Sequence, residues 1–140
     1  MPTPLKAAAY QMDANILLRF LRNDHKDHSP RAARFIQDAN SGKFILEVSP
    51  VTVAEIYYAL KAAYRVDRRT AAQTLAAVLN TPAFHLSQRH RVFDALSRVQ
   101  RANVDFGDGY LAACAAESGN PVASFDRDMD RFADVRRHEP

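Results

Sequence analysis

The chain has 140 residues, 47% of them apolar, a formal net charge of +3 and a single cysteine. That length and apolar content predict one domain with its own core and exclude a disordered chain. No apolar run approaches the roughly 18 residues needed to span a bilayer, and Cys114 alone excludes an intrachain disulfide. The N-terminal MPTPLKAAAYQMDAN has only a short apolar stretch before Asp13, so no secretory leader is expected and the chain reads as soluble and cytoplasmic. Of the 19 basic residues, 15 are arginine. Arginine grips phosphate bidentately, which suits a nucleic-acid partner. A composition bias explains the same excess, and the arginines are dispersed rather than gathered in one patch.

In chain order, AAAYQM (7–12) reads as a short strand, although alanine is a poor strand former. ANILLRFLRN spaces Ile16, Leu17, Phe20 and Leu21 as a helix does, and NDHKDHSP is a polar loop. Ser29 is a good N-cap with Pro30 at the first helical position, opening a helix through Ala39 that stops over residues 40–42. KFILEVS is a strand. SPVTVAEIYYALKAAYRV is a helix with Thr52 its expected cap, and Asp67 caps the helix RRTAAQTLAAVL. After Pro82, AFHLS is a short strand, with His85 expected in the core or at the strand end. HRVFDALSRVQRA and GDGYLAACAAES are helices. The second ends at Gly119, and Cys114 within it reads as a small buried hydrophobe. PVASF is a strand, RDMDRF a short helix and ADVRRH an edge strand. The alternation predicts an α/β fold with a mainly parallel sheet.

In such sheets functional groups gather beyond the carboxyl ends of the strands. Asp13 follows the first strand, Glu55 is placed in the first turn of the helix after the second, Asp108 opens the alanine-rich helix, and Asp126 follows PVASF. Any one of them also reads as a helix cap: Thr52 with Glu55 fits a capping box, and the helix dipole favours acids at N-termini. Several carboxylates on one edge, however, repel one another unless a cation neutralises them. Oxygen ligands without His or Cys suit Mg²⁺ or Mn²⁺. Two such ions about 4 Å apart can activate a water and stabilise a leaving oxygen in phosphodiester cleavage. No Walker A loop, GxGxxG, HExxH or GxSxG motif competes. His25 and His28 sit in a polar, solvated loop without a closed zinc ligand set.

The stretches MDANILLRFL, SPVTVAEIYYAL, VDFGDGYLAACAAESG and PVASFDRDM occur in this order over residues 12–129. Together they resemble the PIN-domain family and, within it, the VapC-type toxin ribonucleases of bacterial toxin–antitoxin pairs. The resemblance implies a three-layer α/β/α fold around a mainly parallel sheet of about five strands. It implies Asp13, Glu55, Asp108 and Asp126 as the acidic Mg²⁺ or Mn²⁺ site of an endoribonuclease. Asn15 would orient Asp13, and Ser124 would hold the scissile phosphate or Asp126. Asp105 would cap or support the turn, and Asp128 would share the role of Asp126. Gly107 and Gly109 are expected to leave space beside Asp108 for metal or RNA, and the alanines to let their helix lie close to the sheet. The implied partners are an RNA substrate, a cognate VapB-like antitoxin and a second copy in a homodimer. The faces around Tyr57, Tyr58 and Tyr64 could serve such contacts, or else ordinary helix packing. Two other readings remain at this stage: a non-catalytic α/β binding module whose acids are caps, and a phosphoaspartyl-type enzyme, although Asp13-Ala14-Asn15 departs from its DxD signature.

Overall fold

A computed structural model describes residues 8–140. Residues 1–7, which include Ala7, the expected first residue of the opening strand, and the beginning of the stretch read for a leader, lie outside the described residues. The elements follow the expected alternation: β1 (Ala8–Gln11), α1 (Ala14–Arg22), α2 (His28–Asn40), β2 (Phe44–Val48), α3 (Pro50–Ala62), α4 (Arg68–Leu79), β3 (Phe84–Leu86), α5 (Arg89–Ala102), α6 (Phe106–Ser118), β4 (Val122–Ala123), a 3₁₀ helix (Arg127–Arg131) and β5 (Arg137–His138). The class is mixed α/β with parallel pairing throughout. β1, β2 and β3 form one sheet in that order, with Ala8 opposite Phe44 and Leu46 opposite Phe84.

The sheet is smaller than the five strands expected. β4 and β5 pair in parallel with each other as a separate two-stranded sheet. Each is two residues long, and an apolar cluster lies beside them, reached by Val122 of β4 and by Val135 two residues ahead of β5. Val122 and Val135 pack with Val104, Ala112, Ala115, Met129 and Phe132 in a cluster distinct from the main core. The main core holds Leu17, Leu46, Ile56, Leu75, Leu79 and Leu96, all fully buried. Burying each such leucine contributes about 2 kcal/mol by area.

α6 serves both clusters. Phe106 and Ala113 enter the main core, while Ala112 and Ala115 enter the smaller one. Small side chains on both faces let the helix lie between them. Its closest neighbour is α5 rather than the sheet. A Cβ on Gly109 would stand 2.8 Å from the Ala95 carbonyl oxygen and 3.2 Å from Val99, so glycine sets the α5–α6 approach.

Several helix starts differ from expectation. Ser49, not Thr52, caps α3: its Oγ accepts the Thr52 N–H at 3.2 Å, with Pro50 at the first helical position. Two hydroxyls precede the same apolar run, and the earlier one has the extended backbone a cap needs. Glu55 is thereby the sixth residue of α3, in its second turn and beyond capping reach. α2 begins at His28 with Asp27 at the cap position, but the Asp27 side chain makes no cap bond. His25 Nδ1 accepts the amides of Asp27 (3.2 Å) and His28 (2.9 Å), and its ring stacks on His28 at 4.1 Å. These histidines therefore structure a helix entry. Asp67 caps α4 as expected, accepting the Thr70 N–H. Gly119 ends α6 at φ 78°, where glycine is favoured. His85 is exposed and Cys114 only half-buried, so neither is a core residue. No helix among the described residues is long and apolar enough to cross a membrane.

Candidate metal centre

α6 begins with two aspartates three residues apart, and the fold uses them differently. Asp105 occupies the N-cap position, with extended backbone (φ −78°, ψ 166°), yet its side chain makes no cap bond. Its carboxylate is turned toward α3 and the start of α4. Oδ1 accepts from Tyr57 Oη at 3.0 Å, from Arg68 Nε at 3.1 Å and from Lys61 Nζ, and Oδ2 accepts from Arg68 Nη2 at 3.1 Å. Arg68 Nη1 also donates to the Asn103 carbonyl at 2.9 Å. Burial pushes the Asp105 carboxyl up, but the hydrogen bonds from Lys61, Arg68 and Tyr57 outweigh it and hold the pKa below the usual 3.8. The same contact, with burial as the larger cause, drives the Tyr57 hydroxyl well above its ordinary value. Asp105 thus ties α6 to two other helices by an ion-pair network and makes no side-chain cap bond.

Asp108, in the first turn of α6, has no cation bonded to it among the described residues. It faces acids instead. Oxygens of Asp108, Asp126 and Asp128 lie within 4.8 Å of one another. Asp108 is pushed above 3.8 first by burial and then by the charges of Asp126, Asp128 and Asp105, with Arg68 opposing.

The other two acids come from the segment after β4. Ser124 Oγ accepts the Asp126 N–H at 2.9 Å. Asp126 caps the 3₁₀ helix by accepting the Asp128 N–H on Oδ1, also at 2.9 Å. Asp128 is half-buried and 3.5 Å from Arg131. The turn Ser124–Asp128 therefore fixes two carboxylates opposite the first turn of α6.

Asp13 and Glu55 belong to no such group among the described residues. Asp13 follows β1 at the N-cap of α1, exposed and without a cap bond, and Glu55 is exposed on α3. Asn15 lies in the first turn of α1, lining a cavity of about 550 Å³ with Ile16, Arg19, His28, Arg31 and Phe35. The glycines do not make room for a ligand. Gly109 accommodates α5, and Gly107 donates its N–H to Tyr58 Oη at 3.0 Å, where a Cβ would crowd that oxygen at 3.1 Å.

The model of the PIN domain matches residues 10–135, nearly the whole chain. The chain belongs to the PIN domain family. No curated protein matches it. PIN domains are in general metal-dependent nucleases, and the acidic cluster lies where α6 and the β4 turn meet. The donor set fits that chemistry. It offers three carboxylates, no imidazole and no thiolate, and its mutual repulsion a divalent cation would relieve.

Sequence reading missed Tyr57, Tyr58, Lys61 and Arg68 as neighbours of this site. Tyr57, Tyr58 and Lys61 are spaced to share one face of α3, but only the tertiary fold reveals that this face meets Asp105.

Proposed function

We propose that this PIN domain is an endoribonuclease of the VapC toxin type, using Mg²⁺ or Mn²⁺ to hydrolyse RNA phosphodiester bonds. The observation that carries the proposal is the meeting of Asp108, Asp126 and Asp128 within 4.8 Å. Asp108 and Asp126, with Asp128, are the ligands this geometry supports. Asp13 and Glu55 complete the proposed set on the strength of their motifs. A bound divalent cation would draw charge from the scissile phosphate and make a nearby water more acidic.

The chain's own groups have distinct tasks in this reading. Asp108 supplies a carboxylate poorly compensated by the protein and therefore available to a cation. Asp126 keeps its position through the Ser124 hydroxyl and the Asp128 amide. A cognate antitoxin, a homodimer and a cytoplasmic setting belong to the same proposal.

The test is cleavage of single-stranded RNA with Mg²⁺ or Mn²⁺ by wild type and Asp108→Asn. Loss of a ligand that supports several kcal/mol of charge stabilisation should cost at least about 10²-fold in rate. Equal rates, or wild-type cleavage undiminished by EDTA, would contradict the assignment.

A further inference from the structure

We infer that Asp105 and Arg68 are positioning residues for the metal centre: their bidentate ion pair, with Tyr57, Tyr58 and Lys61, clamps the first turn of α6 so that Asp108 faces Asp126 and Asp128. The inference rests on the proposed metal-binding role of that cluster and extends it to residues with no direct ligand function.

The N–H groups of a helix's first turn lack partners within the helix, so contacts from outside are needed to fix that turn. Here that turn is held at three points. The Asp105 carboxylate takes donors from α3 and α4, with Arg68 engaging both oxygens at 3.1 Å. The Gly107 amide is bound by Tyr58 Oη at 3.0 Å. Gly109 lies flush on the Ala95 carbonyl of α5. Asp108 sits between the second and third points. Rotation of this turn about the helix axis would have to break the Asp105 network, the Tyr58 bond or the α5 contact, so the direction of the Asp108 side chain is set by residues that never touch the cluster. Asp105 is kept out of the ligand set by the same contacts, since its oxygens are already committed to Tyr57, Lys61 and Arg68.

Positioning and simple electrostatics make opposite predictions for Arg68. Its positive charge opposes cation binding at Asp108, so if charge alone mattered, Arg68→Gln would tighten Mn²⁺ binding. If Arg68 holds the turn, Arg68→Gln weakens it. Residues supporting metal ligands typically change affinity 10–100-fold, and a loss of about tenfold is expected here. Arg68→Lys keeps the charge but loses the bidentate pair, so it should also weaken binding, to a smaller extent.

The experiment is calorimetric Mn²⁺ titration of the metal-free chain for wild type, Arg68→Gln, Arg68→Lys and Tyr58→Phe, with melting curves for each and RNA-cleavage kinetics alongside. Support is weaker Mn²⁺ binding in all three variants, a retained cooperative melt, and a fall in kcat with little change in KM. Arg68→Gln binding Mn²⁺ as tightly as wild type, or more tightly, would overturn the inference and leave the nuclease reading standing. A raised KM with unchanged Mn²⁺ affinity would overturn it as well, making Arg68 a substrate contact. Wild type binding no Mn²⁺ would overturn the nuclease reading itself, and this inference with it. Should Arg68→Gln fail to fold, Arg68→Lys, at constant charge, decides the matter: unaltered affinity rejects the clamp.

Discussion

Asp105 and Asp108 stand three residues apart on the same helix end, yet their surroundings are opposites. Around Asp105 the protein has assembled a lysine, an arginine and a tyrosine hydroxyl. Around Asp108 it has assembled two more carboxylates. The first arrangement is complete without any ligand. The second carries charge that Arg131 offsets only in part, at Asp128, and that the fold tolerates because other contacts hold it in place. The contrast separates a carboxylate that stabilises the protein from one held at some cost and available for binding.

Removing the charge of each acid in turn, with stability measured in EDTA, should separate the two most widely. Asp105→Asn leaves Lys61 and Arg68 without their anion and should lower unfolding free energy by about 2 kcal/mol, in the range of hydrogen bonds to charged groups. Asp108→Asn relieves repulsion and should raise stability by less than about 1 kcal/mol, since the site is partly solvated. The two substitutions thus have opposite signs, and a loss of stability in both would erase the distinction.

Acid titration sharpens the same point. Asp105 has a depressed pKa, so its contribution is present above 3.8 and lost as pH falls through its lower folded value. Asp108 has a raised pKa, so its destabilising effect disappears as pH falls through that value, above 3.8. Chemical denaturation of the metal-free protein across mildly acidic pH should therefore show a small gain for wild type relative to Asp108→Asn before the loss from Asp105 sets in.

Much of the fold was legible because it is locally encoded. The apolar spacing of Leu17, Phe20 and Leu21 marks α1, Asp67 marks the start of α4, and Gly119 marks the end of α6 wherever the rest of the chain goes. The cap of α3 was misplaced by three residues because Ser49 and Thr52 offer the same hydroxyl chemistry ahead of one apolar run. The division of the strands into two sheets was not legible. Which edge a two-residue strand joins depends on tertiary burial, here the separate cluster around Val122, Met129 and Phe132.

The candidate site shows the same limit. Asp108, Asp126 and Asp128 were visible as acids at helix starts, and the fold brings them together. The difference between Asp105 and Asp108 was hidden, because it is made by Lys61 and Arg68, residues 44 and 37 positions earlier in the chain. Gly107 and Gly109 pointed to a close approach, but the partners are Tyr58 and Ala95 rather than a ligand.

Whether Asp108, Asp126 and Asp128 together hold a divalent cation is decided by Mn²⁺ calorimetry on metal-free wild type, Asp108→Asn and Asp126→Asn near neutral pH. The predicted result is saturable binding by wild type, strongly weakened by either substitution and reduced for wild type itself under mildly acidic conditions, where Asp108 begins to take up a proton. Equal Mn²⁺ binding by wild type and both variants, or none by any of the three, would contradict it.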